Sequence, residues 1–126
     1  MTKSKKATIK VAKTNPDVVI LPNTSRVTKV QFSPSYVSLC LGGPYMGTAK
    51  ITYEPDEHLI EFMSFEKWLR GQMAEMKATG EEACRFIFDE MTALVGEVPL
   101  TVEVSSYQLP GHEGHGDAVI TIRRTM

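Results

Sequence analysis

The sequence predicts an α+β fold, an antiparallel sheet of two strand pairs with two helices on one face, in the order ββααββ. Three observations carry that prediction. Apolar and polar residues alternate with period two before residue 55 and after residue 99. Between residues 64 and 96 the apolar residues instead recur every three or four positions. Glycine and proline punctuate the joins.

Each element follows from local chemistry. Residues 7–21, ATIKVAKTNPDVVIL, hold two short apolar stretches broken at Asn15-Pro16 and read as weak strands or an extended arm. Residues 26–32, RVTKVQF, set Val27, Val30 and Phe32 against Lys29 and Gln31, with one irregularity compatible with a bulge. An apolar run over 36–41 follows, and the glycines after Cys40 read as the start of a flexible loop. Residues 48–54, TAKITYE, alternate again. Pro55-Asp56 marks a turn, and HLIEFM offers an extension of the strand. From Ser64 onward, Phe65, Trp68, Leu69, Met73 and Met76 line one helix face, with Ser64 as N-cap, Glu66 in the first turn and Gly80 as the stop. Thr79 and Glu82 have the spacing of a capping box, opening a second helix that carries Ala83, Phe86, Ile87, Met91 and Leu94 and ends at Gly96. LTVEVSSYQ and AVITIRR then alternate as a closing pair of strands.

The bulk numbers bound the class. The chain has 126 residues, with 42% hydrophobic and 23% charged, as in ordinary globular domains. Residues 1–24 are read as a basic tail or extended arm, and 25–126 as one domain. A net charge of −1 gives no global attraction to nucleic acid or membrane. No apolar run is long enough to span a bilayer, and the basic start lacks the apolar segment of a secretory signal. Two cysteines with no CxxC pair argue against a disulfide scaffold or cysteine-built zinc site, and a cytoplasmic location is expected. The edges of so small a sheet call for a partner, so a homo-oligomer with sites between subunits is expected.

Several residues carry chemistry. Cys40 closes an apolar run before Gly42 and Gly43, which leave the backbone open to a flat ring. It is either a nucleophile, which requires a thiolate and an open approach, or a small buried hydrophobe. Glu82 either accepts paired hydrogen bonds from a ligand or closes the capping box, with Glu81 next in line. Cys84 lies one position from the apolar stripe and reads as core. The loop LPGHEGHGD gathers His112, Glu113, His115 and Asp117, all possible metal ligands. Its spacing is not HExxH, however, and it reads first as a polar hairpin loop. A secondary reading has it covering a substrate from the neighbouring subunit, with a histidine such as His115 as acid or base. Lys3, Lys5, Lys6, Lys10 and Lys13, with Arg123 and Arg124, form basic runs that usually just face solvent.

SLC at 38–40, ITYEPDEHLIEFMSFEKWL at 51–69 and GEEACRFIFDEM at 80–91 together resemble the nitrile reductases of queuosine biosynthesis, which act on 7-cyano-7-deazaguanine. The resemblance spans roughly two thirds of the chain. It implies the tunnelling fold, in which ββααββ protomers assemble barrels and bind purine-like or pterin-like rings at subunit interfaces. It also implies that Cys40 forms a covalent thioimide and that Glu82, backed by Glu81, Ser64 and Glu61, holds the deazapurine. The sequence departs from the family at three places. Gly47 stands where the reductases carry a proton-donating aspartate, with Tyr45 near that place. Asp56, Glu57 and the late histidines are the other acids at hand. Met63 and Glu66 stand where the family's lysines hold the dinucleotide phosphate, Lys67 points about 100° away on a helix, and no GxGxxG loop replaces them. No cofactor is therefore expected, and NADPH is disfavoured. These losses point toward the amidinotransferase-like, archaeosine-forming relatives, which act on deazaguanine already in nucleic acid. That reading makes tRNA or DNA a candidate substrate. The alternatives are an NADPH-dependent reductase and a non-catalytic purine- or pterin-binding assembly protein.

Overall fold

The computed structural model describes residues 15–40, 43–108 and 118–126. The lysine-rich start, Leu41 and Gly42, and residues 109–117 with His112, Glu113, His115 and Asp117 lie outside the described residues, as do the side chains of residues 39, 40, 43, 107 and 108.

The described residues form an α+β fold of seven strands and two helices. β1 (Ile20–Pro22) pairs antiparallel with β5 (His58–Ile60) in a small separate sheet. The main sheet is antiparallel throughout. β2 (Val30–Phe32) and β3 (Ser35–Cys40) both pair with β4 (Gly43–Tyr53), β4 pairs with β6 (Leu100–Gln108), and β6 with β7 (Ala118–Arg124). From Val30↔Tyr53 to Cys40↔Gly43 the register never slips. Ser33-Pro34 therefore interrupts the strand without a bulge, and the Ala49 N–H still donates to the Pro34 carbonyl at 3.0 Å. Pro34 supplies its carbonyl to β4 but has no N–H to return, so that rung keeps one of its two bonds, a loss tolerated on edge strands that pair on one side only.

α1 (Phe62–Glu75) and α2 (Gly80–Val95) cover one face of this sheet. Strand alternation turns Ala49, Ile51, Tyr53, Leu100, Val102 and Val104 toward them, all buried. Phe65, Leu69 and Met73 of α1 and Ala83, Cys84, Ile87, Met91 and Leu94 of α2 meet that layer, each at 0% exposure. Each large side chain so buried contributes about 1.5–3 kcal/mol, which makes this layer the main source of stability. The opposite face carries Gln31, Lys50, Thr52, Thr101, Glu103, Thr121 and Arg123 and faces solvent.

Four sequence expectations change. β4 begins at Gly43, so GGPYMG is not a loop as far as residues 43–47 go. Gly43 and Pro44 pair with β3, and Tyr45–Gly47 with both β3 and β6, which outweighs the local glycine and proline signals. Residues 26–29 are not strand. The Asn23 side chain bonds both the N–H and the carbonyl of Val27, at 2.8 and 3.0 Å, holding a loop in which Arg26 takes φ 57°. HLIEFM divides into β5 and the start of α1. The N-cap of α1 is Glu61, not Ser64: its carboxylate accepts the Met63 and Ser64 N–H groups, both at 2.8 Å. The early arm is also anchored. Val18 is buried, and β1 sits beside β5.

Candidate functional site

Cys40 is the last residue of β3, and its backbone pairs with Gly43 at the start of β4. Just before it, Ser38 and Tyr45 are cross-strand partners, and both reach the link between the helices. The Tyr45 hydroxyl donates to the Ala78 carbonyl at 2.8 Å, and Ser38 Oγ donates to the Met76 carbonyl at 3.4 Å. These bonds fasten residues 76–78 to the end of the hairpin. α2 starts immediately afterward, so its N-terminus and the Cys40 position lie at one end of the molecule. Cys40 is about 7 Å further along the strand than Ser38.

The predicted capping box opens α2. Thr79 Oγ1 accepts the Glu82 N–H at 3.2 Å, and Glu82 Oε1 accepts the Thr79 N–H at 2.9 Å. Glu81 and Glu82 are both exposed. One carboxylate oxygen of Glu82 is committed to the cap, and Oε2 makes no bond among the described residues. Glu82 therefore caps the helix and still presents an oxygen outward.

The other candidates have different placements. Glu61 and Ser64 sit at the far end of α1, with roughly 20 Å of helix between them and Met76. Both Glu61 oxygens are used by the cap, and the Met63 and then the Ser64 N–H groups hold its carboxyl below the usual carboxylate range. Ser64 Oγ accepts from the Val19 N–H and donates to the Glu61 carbonyl, joining the arm to the helix. Met63 is 72% exposed. Glu66 Oε2 accepts the Ser35 N–H at 3.2 Å, while Arg70 Nε donates to the Ser35 carbonyl at 3.0 Å and its guanidinium lies 3.6 Å from the same carboxylate. Glu66 is thus an edge clamp that satisfies the outward backbone groups of β3 at Ser35. Cys84 is fully buried, its thiol directed at the Val102 and Ile120 carbonyls, and burial pushes its pKa up. A thiol so placed is inert core, as its position beside the helix stripe predicts.

Sequence reasoning missed Tyr36. Its ring lies across Gly47, its cross-strand partner, and a Cβ at 47 would collide with the ring and its hydroxyl. The hydroxyl is buried without a partner among the described residues, and burial, then neighbouring Tyr45, pushes its pKa up. Gly47 is therefore required by the aromatic ring, and an acidic side chain has no room there. The available signal was the register: the pairing of Cys40 with Gly43 sets Tyr36 opposite Gly47.

Among the described residues, no group of three His, Cys, Asp or Glu is placed to hold a metal, and no helix is long and apolar enough to cross a membrane. Comparison of the chain with protein-family models and with curated proteins finds no match.

Proposed function

We propose that this chain is a tunnelling-fold enzyme that uses Cys40 to attack the nitrile of 7-cyano-7-deazaguanine and forms an amidine without reduction. The observation that carries this reading is that Ser38 and Tyr45, on the hairpin strand pair that includes Cys40, bond the Met76 and Ala78 carbonyls just ahead of α2. In the reaction the thiolate adds to the nitrile carbon, the nitrile nitrogen takes a proton, and a thioimide forms. Ammonia, free or released from an amide, then adds to the same carbon, and the C–S bond breaks to return the thiol and leave the amidine. The positive end of α2 favours a nearby thiolate. Glu82, through its outward oxygen, and Glu81 would accept hydrogen bonds from the ring N–H and amino groups.

The non-reductive branch is supported by what occupies the departures. Tyr36 fills the space beside Gly47, Glu66 is spent on the sheet edge, and Met63 projects into solvent. Two edges that no other described strand pairs with favour assembly. Beyond the Glu66 clamp β3 presents the exposed Val37, and β7 presents the exposed Val119. Pairing such edges between copies in a cytoplasmic homo-oligomer would close a barrel and bring a second chain to each Cys40. Whether the deazaguanine is free or in tRNA or DNA is separated by offering each.

A second reading, a non-catalytic ring-binding assembly protein, is favoured by one observation. The Tyr45 hydroxyl and one Glu82 oxygen already serve the fold. Intact-mass measurement after incubation with 7-cyano-7-deazaguanine separates the two. The enzyme reading expects an adduct in wild type and none in Cys40→Ala. Binding of the base with no adduct, and unaffected by Cys40→Ala, favours the assembly protein. Nitrile-dependent NADPH oxidation would instead restore the reductase.

A further inference from the structure

The solvent face of the main sheet holds a second cluster of chemistry, apart from the Cys40 end. Lys29, Gln31, Lys50, Thr52, Thr101, Glu103, Thr121 and Arg123 surround a shallow cavity of about 260 Å³. The ladder arranges them as a grid. Gln31, Thr52, Thr101 and Arg123 form one cross-strand row, and Lys50, Glu103 and Thr121 the next. Three cations therefore face one carboxylate. Among the described residues none of Lys29, Lys50 and Arg123 forms an ion pair, although Lys50 and Glu103 are direct cross-strand partners.

The uncharged groups add donors. Gln31 Nε2 donates to Thr52 Oγ1 at 3.2 Å, which leaves the Thr52 hydroxyl hydrogen free to point elsewhere. The Thr101 and Thr121 hydroxyls make no hydrogen bond among the described residues. Apart from Glu103, the groups around the cavity are therefore mostly unused donors, and their complement is an anion rich in acceptors. Ladder spacings place the Lys50 and Arg123 backbones roughly 12 Å apart. Two long, flexible side chains close that gap onto a small multiply charged anion better than onto one monoanion. No stacking aromatic lines the cavity, so nothing in it reads bases.

We propose that this face binds a small oligophosphate anion, with Lys29, Lys50 and Arg123 pairing its charge and the Thr52, Thr101 and Thr121 hydroxyls donating to its oxygens. The site is independent of the nitrile chemistry. Lys50 is seven residues beyond Gly43, roughly 23 Å along β4, and faces away from the helices.

Calorimetric titration of the full chain with tripolyphosphate at low salt tests this. Saturable binding is expected, weakened at least about tenfold in the Lys50→Ala/Arg123→Ala double variant and tightened about threefold in Glu103→Gln. The residues are on the surface, and unchanged circular dichroism verifies that both variants fold. Absence of saturable binding would overturn the proposal. So would equal affinity in the double variant, which would move the interaction to the lysines of residues 3–13. Binding of a single-stranded oligonucleotide in place of tripolyphosphate would overturn it as well.

Discussion

The N-termini of the two helices use the same device and leave different chemistry behind. Each folds a carboxylate back onto its own backbone. At α1, Glu61 uses both oxygens, one for the Met63 N–H and one for the Ser64 N–H, and Ser64 is then tied to the arm at Val19. No oxygen remains there for a ligand. At α2 the work is divided. Thr79 takes the Glu82 N–H, Glu82 takes the Thr79 N–H through Oε1, and Glu81 is left outside the box. That end also rests on the hairpin that carries Cys40. A capping residue and a ligand anchor thus compete only when a single side chain must supply the whole cap.

The comparison breaks most sharply at the hairpin that seats α2. Gly47→Ala drives a methyl group into the Tyr36 ring, and a loss of about 2–3 kcal/mol in urea denaturation is expected. Gly71 of α1 has nothing within 4 Å of the added carbon, so Gly71→Ala is the matched control and should stabilise by about 0.5–1 kcal/mol. Equal effects of the two would mean that Tyr36 does not lie over Gly47.

A smaller effect sharpens the contrast between the carboxylates. Glu82→Gln keeps an acceptor for the Thr79 N–H but loses the charge offered to a ring. Affinity for 7-cyano-7-deazaguanine should fall about tenfold, or about 1.4 kcal/mol, whereas Glu61→Gln should leave it unchanged. Equal losses at both positions would mean that the Glu82 carboxylate is no more available to a ligand than that of Glu61.

The smallest effect is a pH dependence at α1. Backbone donors hold the folded Glu61 carboxyl below its ordinary range, so the folded chain binds that proton more weakly than the unfolded chain. Its stabilisation is complete above the unfolded value and fades as pH falls through the folded one. The stability difference between wild type and Glu61→Gln should therefore be present at neutral pH and shrink in strong acid. Growth of that difference on acidification would contradict the cap.

Much of this arrangement was legible in the sequence. The Thr79–Glu82 spacing specified a real cap, and the alternation in LTVEVSSYQ sorted Leu100, Val102 and Val104 into the core. The misreadings share a cause. At the start of α1 two polar residues compete for one role, and only the position of Val19, remote in sequence, diverts Ser64 from capping. At Gly43–Gly47 the local signals are those of a loop, and one of the partners that override them, β6 at Tyr45–Gly47, lies more than fifty residues downstream. The candidate site was legible as residue types, and Tyr36 was not. A buried tyrosine facing a glycine is a property of register, which periodicity alone does not fix.

In the proposed chemistry Cys40, at the end of β3, supplies the reactive thiol, while the buried Cys84 thiol of α2 is inert. Peptide mapping of the protein after exposure to 7-cyano-7-deazaguanine tests it most directly. A mass increase is expected on the peptide containing Cys40 and none on the peptide containing Cys84. Modification of Cys84, or of neither cysteine, would contradict it.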